Sequence, residues 1–133
     1  MYALKILKAK GLTGRALNQV SNAYLVNRIT YALPAWWGFT TSAERTKLQS
    51  VLNKASRWGL DGGIVFPTIE LTAEAMQRKL FANILANPTH VLHHLLPPVK
   101  TVSYDLRPRP HNRVIPRCST IEGKNFINRM LSF

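Results

Sequence analysis

From the N-terminus to the proline pair Pro97-Pro98, apolar positions recur three and four apart, the spacing of one helix face. Residues 2 to about 10 put Leu4 and Leu7 on one side of a short helix closed by Gly11. A second helix starts at Thr13 or Gly14, carries Leu17, Val20 and Tyr24, and runs to Pro34. Thr41 and Glu44 form the capping-box pattern at the start of a third helix. Its apolar stripe is Leu48, Val51, Leu52, Ala55 and Trp58, and Gly59 ends it. Asp61-Gly62-Gly63 reads as a loop. After Pro67 a helical region runs from about Thr68 to Ala86, with room for a break near Thr72 or Ala73. Leu80, Phe81 and Ile84 mark its buried face. Asn87-Pro88 ends it, and Val91 to Leu96 adds one more turn. Residues 99–119 lose the helical period and read as extended; a last short helix, Gly123 to Leu131, docks Phe126, Ile127 and Leu131.

Between the second and third helices, Thr30 to Phe39 concentrates aromatic residues: Tyr31, Trp36, Trp37 and Phe39 around Leu33 and Pro34. Proline lacks an N–H and biases the preceding residue away from helical angles, so Pro34 is expected to stop the second helix. Gly38 then permits a turn. At about 150–250 Å2 per ring, burial here would dominate a small core. Tyr31, Pro34, Trp36 and Trp37, with Trp58, are accordingly expected to be structural. The fold class that follows is mostly α: a small helical bundle with an extended, basic, proline-containing C-terminal tail and no sheet of more than two short strands. Its sections are 1–60, a helical continuation over 61–98, and the tail with its terminal helix over 99–133.

With 133 residues the chain suffices for one core. Composition changes the picture through charge: 18 Lys and Arg against 6 Asp and Glu give +12, with a pI near 10.6. Such a balance points to a polyanion, most simply nucleic acid. Residues 1–60 carry nine basic residues against Glu44 alone. Residues 61–99 are nearly neutral, and 100–133 carry seven basic residues against Asp105 and Glu122. No run approaches the ~20 apolar residues of a membrane span. The N-terminus interleaves lysines with apolar residues, unlike a signal peptide. Cys118 is alone, so no internal disulfide framework forms. An intracellular protein is expected, with nucleus and cytoplasm both open.

Catalytic chemistry has little to stand on. Two-metal nucleases and polymerases hold ions ~3.5–4 Å apart with clustered carboxylates. Asp61 and Asp105 are far apart in sequence, and Glu70 and Glu74, one turn apart, read as a solvated face. His90, His93, His94 and His111 with Cys118 lack the paired cysteines or Cys2His2 set of structural zinc sites. Nothing marks an orienting third group for a Cys118–His nucleophile. No catalytic residue, metal or cofactor is therefore expected. The positive features are two. On the third helix Lys47, Lys54 and Arg57 fall within an arc of roughly 80° beside the apolar stripe, which suits either a solvated charged face or phosphate contacts, and the absence of interspersed acids favours phosphate. In the tail, Arg107, Arg109 and Arg113 lie on a proline-stiffened segment with Arg117 beyond, which lowers the entropy lost on ordering against a ligand.

Tyr31-Ala-Leu-Pro-Ala-Trp-Trp-Gly-Phe39, the Leu48…Trp58-Gly59-Leu60 helix, Asn87-Pro-Thr-His-Val-Leu-His-His-Leu-Leu-Pro-Pro98, Leu106-Arg-Pro-Arg-Pro-His-Asn-Arg113 and Asn125-Phe-Ile-Asn-Arg-Met-Leu131 follow one another in an order and spacing. That order resembles the region after the catalytic palm in LINE-type (non-LTR) retrotransposon reverse transcriptases, over nearly the whole chain. The resemblance implies a helical thumb over about residues 1–60 that grips template and primer, and a C-terminal tail. Fingers, palm and their paired aspartates, the upstream endonuclease domain, and the cysteine-histidine knuckle that ends some members have no counterpart here. It implies a terminal, catalytically inert piece of an RNA-directed DNA polymerase in which Met1 need not be a natural start, with RNA, DNA or a hybrid as partner and a palm and fingers supplied upstream. Two other readings stand beside it: a small helical protein–protein module, and the product of a decayed transposable element without selected function.

Overall fold

A computed structural model describes residues 1–101 and 111–132 of the chain. The described residues are mostly α-helical. Their one β-type pairing is an isolated antiparallel bridge between Val99 and Arg113. Two compact units divide the chain, Met1–Leu33 with Thr40–Glu74 and Pro34–Phe39 with Ala75–Phe133.

The first unit begins with α1, Tyr2–Ala9, and α2, Gly14–Ser21. A single π turn, Asn22–Val26, joins α2 to α3, Asn27–Thr30. Its i→i+5 bonding lengthens the turn by a residue. Leu17, Asn18, Ser21, Leu25 and Val26 are the buried positions, while Val20 and Tyr24, expected inside from the three-and-four spacing, are exposed. Leu7 of α1 is likewise exposed and leaves Leu4 alone inside.

Helix α5, which follows the short α4 (Leu33–Trp36), spans Ser42–Arg57 and has the expected capping box. The Glu44 N–H donates to Thr41 Oγ1, and Glu44 Oε2 accepts from the Thr41 N–H at 2.7 Å. Those bonds satisfy donors that a helix start leaves open. Leu52 and Ala55 are fully buried, with Leu48, Val51 and Trp58 half-buried beside them. At the other end Leu60 N–H donates to Ala55 O and Gly59 N–H to Ser56 O, the paired closure of a Schellman motif. Gly59 makes it possible with φ +64°, a region that costs a residue with Cβ about 1–2 kcal/mol. The loop after it is anchored by Asn18, whose Nδ2 donates to Asp61 O and Ile64 O.

The stop before the aromatic corner differs from expectation. α3 ends at Thr30, upstream of Pro34, and the chain reverses through Ala32 at φ +50°. Pro34 lies in the first turn of a new short helix, α4, Leu33–Trp36, where its missing N–H has no partner to lose. Pro34 therefore starts a helix rather than stopping one. A 3-10 turn, Trp37–Phe39, follows.

Helix α6, Ile69–Ala86, is unbroken through Thr72 and Ala73, and Thr68 O accepts its first-turn bond from Thr72 N–H. Its later turns belong to the second unit. There Phe81 and Ile84 form one cluster with Phe126, Ile127, Met130 and Leu131 of α7, Phe126–Leu131; Leu80, Leu85, Leu92 and Leu96 pack around it. Each buried aliphatic or aromatic side chain stabilises by roughly 1.5–3 kcal/mol. Asn125 caps α7 through its side-chain oxygen. The turn expected at Val91 to Leu96 is a 3-10 turn, His93–Leu95. Residues 97–101 and 111–114 then pair antiparallel, Lys100 N–H on Asn112 O and Val114 N–H on Pro98 O. The described part of the tail is thus extended but held.

Candidate nucleic-acid interface

Helix α5 presents Lys47, Lys54 and Arg57 to solvent, as its sequence period required once Leu52 and Ala55 turned inward. The three are not electrostatically equal. Lys47 lies close enough to Glu44 to help hold that carboxyl below its usual range, after the larger effects of the Thr41 N–H and hydroxyl. Among the described residues, no carboxylate forms an ion pair with Lys54 or Arg57.

At the end of α5 the structure adds two cations that sequence reasoning missed. Lys5 of α1 places its Nζ 3.3 Å from the centroid of the Trp58 ring, and Lys54 lies 5.0 Å from the same centroid. Lys8, one turn after Lys5, donates from Nζ to Trp58 O at 2.8 Å. An ammonium over an indole face is attracted by the ring quadrupole. A cation at a helix C-terminus meets the negative end of its dipole. The only sequence signal for this grouping was the i, i+3 spacing of Lys5 and Lys8, which says nothing about which helix they would meet.

The tail candidates divide. Arg107 and Arg109 lie outside the described residues. Arg113 is half-buried and structurally engaged. Its Nη1 donates to Pro97 O at 2.8 Å, and its backbone N–H donates to His111 Nδ1 at 3.2 Å. That bond makes Nδ1 of His111 an acceptor, so Nε2 carries the proton and donates to Leu131 O at 3.1 Å. The imidazole is buried, edge-on to Phe81 with ring centroids 5.9 Å apart. Arg117 is exposed, and so is the Cys118 thiol next to it.

The residues expected to be structural also divide. Trp37 is buried at 6% exposure, and Trp36, half-buried, meets it edge-on with centroids 6.2 Å apart. Pro34 is buried, and its carbonyl accepts from Arg129 Nη2. Trp58 is half-buried beneath the lysines. Tyr31 is a correction: at 81% exposure it is not part of the core. Phe39 is exposed as well.

Among the described residues, no three His, Cys, Asp or Glu side chains gather as metal ligands. His90 instead accepts from Leu92 N–H through Nδ1, a local turn contact. Glu70 meets Arg45 at 3.8 Å. No helix of the described residues is long and apolar enough to cross a membrane. Compared with family models, with curated proteins and with solved structures, the chain finds no match in any of the three.

Proposed function

We propose that the chain is the thumb-and-tail part of a LINE-type (non-LTR) retrotransposon reverse transcriptase and that it binds nucleic acid without sequence preference. The observation that carries the binding reading is the exposed basic side of α5: Lys54 and Arg57, with Lys47 further along, project from a rigidly capped helix. Support for the parentage comes from the order and spacing of the motifs between Tyr31 and Leu131. On this reading the chain carries no polymerase chemistry of its own, since no neighbouring carboxylates exist to hold two metal ions. Catalysis belongs to a palm and fingers encoded upstream.

A titration of labelled nucleic acid against salt tests the binding. Each phosphate contact contributes about 0.9 to the slope of log affinity on duplex and about 0.7 on single strands. Three to six contacts predict a slope between roughly −2 and −5. A parent chain without salt-dependent binding removes the reading. Genomic sequence immediately upstream tests the parentage: an in-frame palm supports it, and an unrelated frame overturns it.

A specific observation favours a second reading, a protein–protein module. Tyr2, Tyr31, Val65, Leu71, Val91 and Ile121 are large apolar side chains left exposed. Loss of salt dependence would move this reading ahead of the first.

A further inference from the structure

The grouping at the end of α5 goes further than a charged helix face. Lys5 and Lys54 share one indole, so their ammonium groups lie no further apart than the sum of 3.3 and 5.0 Å. That separation is comparable to the ~8 Å Debye length at physiological salt, so their repulsion is incompletely screened. Lys8 is held beside them on the Trp58 carbonyl, close enough that a Cβ at Gly59 would sit 2.5 Å from its Nζ. Arg57 is exposed in the same last turn of α5. Among the described residues, no carboxylate forms an ion pair with any of these four.

Like charges drawn together without a counter-ion raise the energy of the free protein, and a polyanion lowers it. We infer that Lys5, Lys8, Lys54 and Arg57 around Trp58 form the principal phosphate-binding site of the chain, taking the phosphodiester backbone of nucleic acid. This rests on the nucleic-acid reading above and names the residues and chemistry that carry it. Trp58 is the seat of the site, not a platform for bases. Lys5 covers one face of its half-buried ring, and a base stacking on that face would have to displace the cation. The ring fixes where the ammonium groups stand, and the phosphates meet the ammonium groups.

The test is the salt dependence of binding of a short random-sequence duplex to the full chain. The K5A/K8A/K54A variant, with folding checked by circular dichroism, is expected to lose about two to three units from the magnitude of the slope. Lys79→Ala, an exposed lysine on α6, is expected to leave it unchanged. Should the triple variant fail to fold, Lys5→Met keeps the apolar stem and is expected to lose about 0.9. Inorganic polyphosphate, which has phosphates but no bases, is expected to displace the duplex. A parent that binds with salt dependence while the folded variants keep its slope overturns this site and leaves the nucleic-acid reading standing. Polyphosphate that fails to compete overturns the phosphate-only chemistry. A parent with no salt dependence overturns the nucleic-acid reading itself.

Discussion

The guanidinium of Arg129 holds the side-chain oxygen of Gln77 through two N–H groups, Nη2 at 2.6 Å and Nε at 3.0 Å. Gln77 is a buried polar residue on α6, and Arg129 comes from α7. The same guanidinium donates from Nη1 to Lys124 O and from Nη2 to Pro34 O. One side chain thus ties the last helix of the second unit to α6 and to the proline corner. Gly38 is needed where it stands, at ordinary φ, because a Cβ there would meet Arg129 Nη1 and Lys124 O.

Truncating Arg129 leaves Gln77 Oε1 and two carbonyls short of a charged donor. Arg129→Ala is expected to cost about 2–3 kcal/mol in denaturant unfolding, and Arg129→Lys most of that, since one ammonium cannot span three acceptors. Gly38→Ala is expected to cost about 1–3 kcal/mol by overpacking. A double-mutant cycle of Arg129→Ala with Gln77→Ala should give a coupling of at least about 0.5 kcal/mol; strict additivity would deny the link.

The helices were legible in the sequence wherever local chemistry set them. The Thr41–Glu44 box, the Gly59 closure and the Phe81, Ile84, Phe126, Ile127 and Leu131 core positions follow from spacing and caps alone. What escaped depends on tertiary partners or on an irregular turn. The π turn at Asn22–Val26, with Leu25 and Val26 buried and Tyr24 exposed, has no signal in a regular period. Arg113 reads as a tail cation for phosphate, yet it donates to the Pro97 carbonyl, a use that needs the fold to bring that oxygen near. Lys5 and Lys8 enter the sequence reading only through the basic charge of residues 1–60, and their place at Trp58 needs the fold to bring α1 to the end of α5.

Ala32 carries φ +50°, the one described non-glycine residue with positive φ. The left-handed region costs an L-residue with Cβ about 1–2 kcal/mol, and glycine gives back about 0.4–1 through unfolded-chain entropy. The first effect is the larger. Ala32→Gly is expected to raise stability by about 0.5–1 kcal/mol in thermal or urea unfolding. A destabilised variant would mean that the Ala32 methyl makes packing contacts worth more than the strain.

Two carboxyls are held below their usual 4.5: Glu44 by the Thr41 N–H and hydroxyl, and Glu122 by those of Ser119. A folded-state value below the unfolded one gives stability that is complete above pH 4.5 and lost as pH falls through the folded value. Stability is therefore expected to decline on the acid side of 4.5. Glu44→Gln with Glu122→Gln, which keep a side-chain oxygen but cannot titrate, should flatten that decline. Equal acid sensitivity of parent and double variant in unfolding at a series of pH values would assign the decline to other groups.

The aromatic corner separates the core reading from the interaction reading. Trp37 is buried, so Trp37→Ala removes a filled volume and is expected to cost about 3–5 kcal/mol. Trp36 is half-buried and should cost less, while Tyr31→Ala, with its ring in solvent, should change stability by no more than about 0.5 kcal/mol. This graded order, measured by urea unfolding of the three variants, follows from burial alone. A Trp37→Ala variant that unfolds like the parent would place that ring on an open surface, and the exposed Tyr31 and Phe39 beside it in sequence would then support docking of a protein partner. The expected order instead makes Trp37 core and leaves the basic end of α5 as the better candidate for binding.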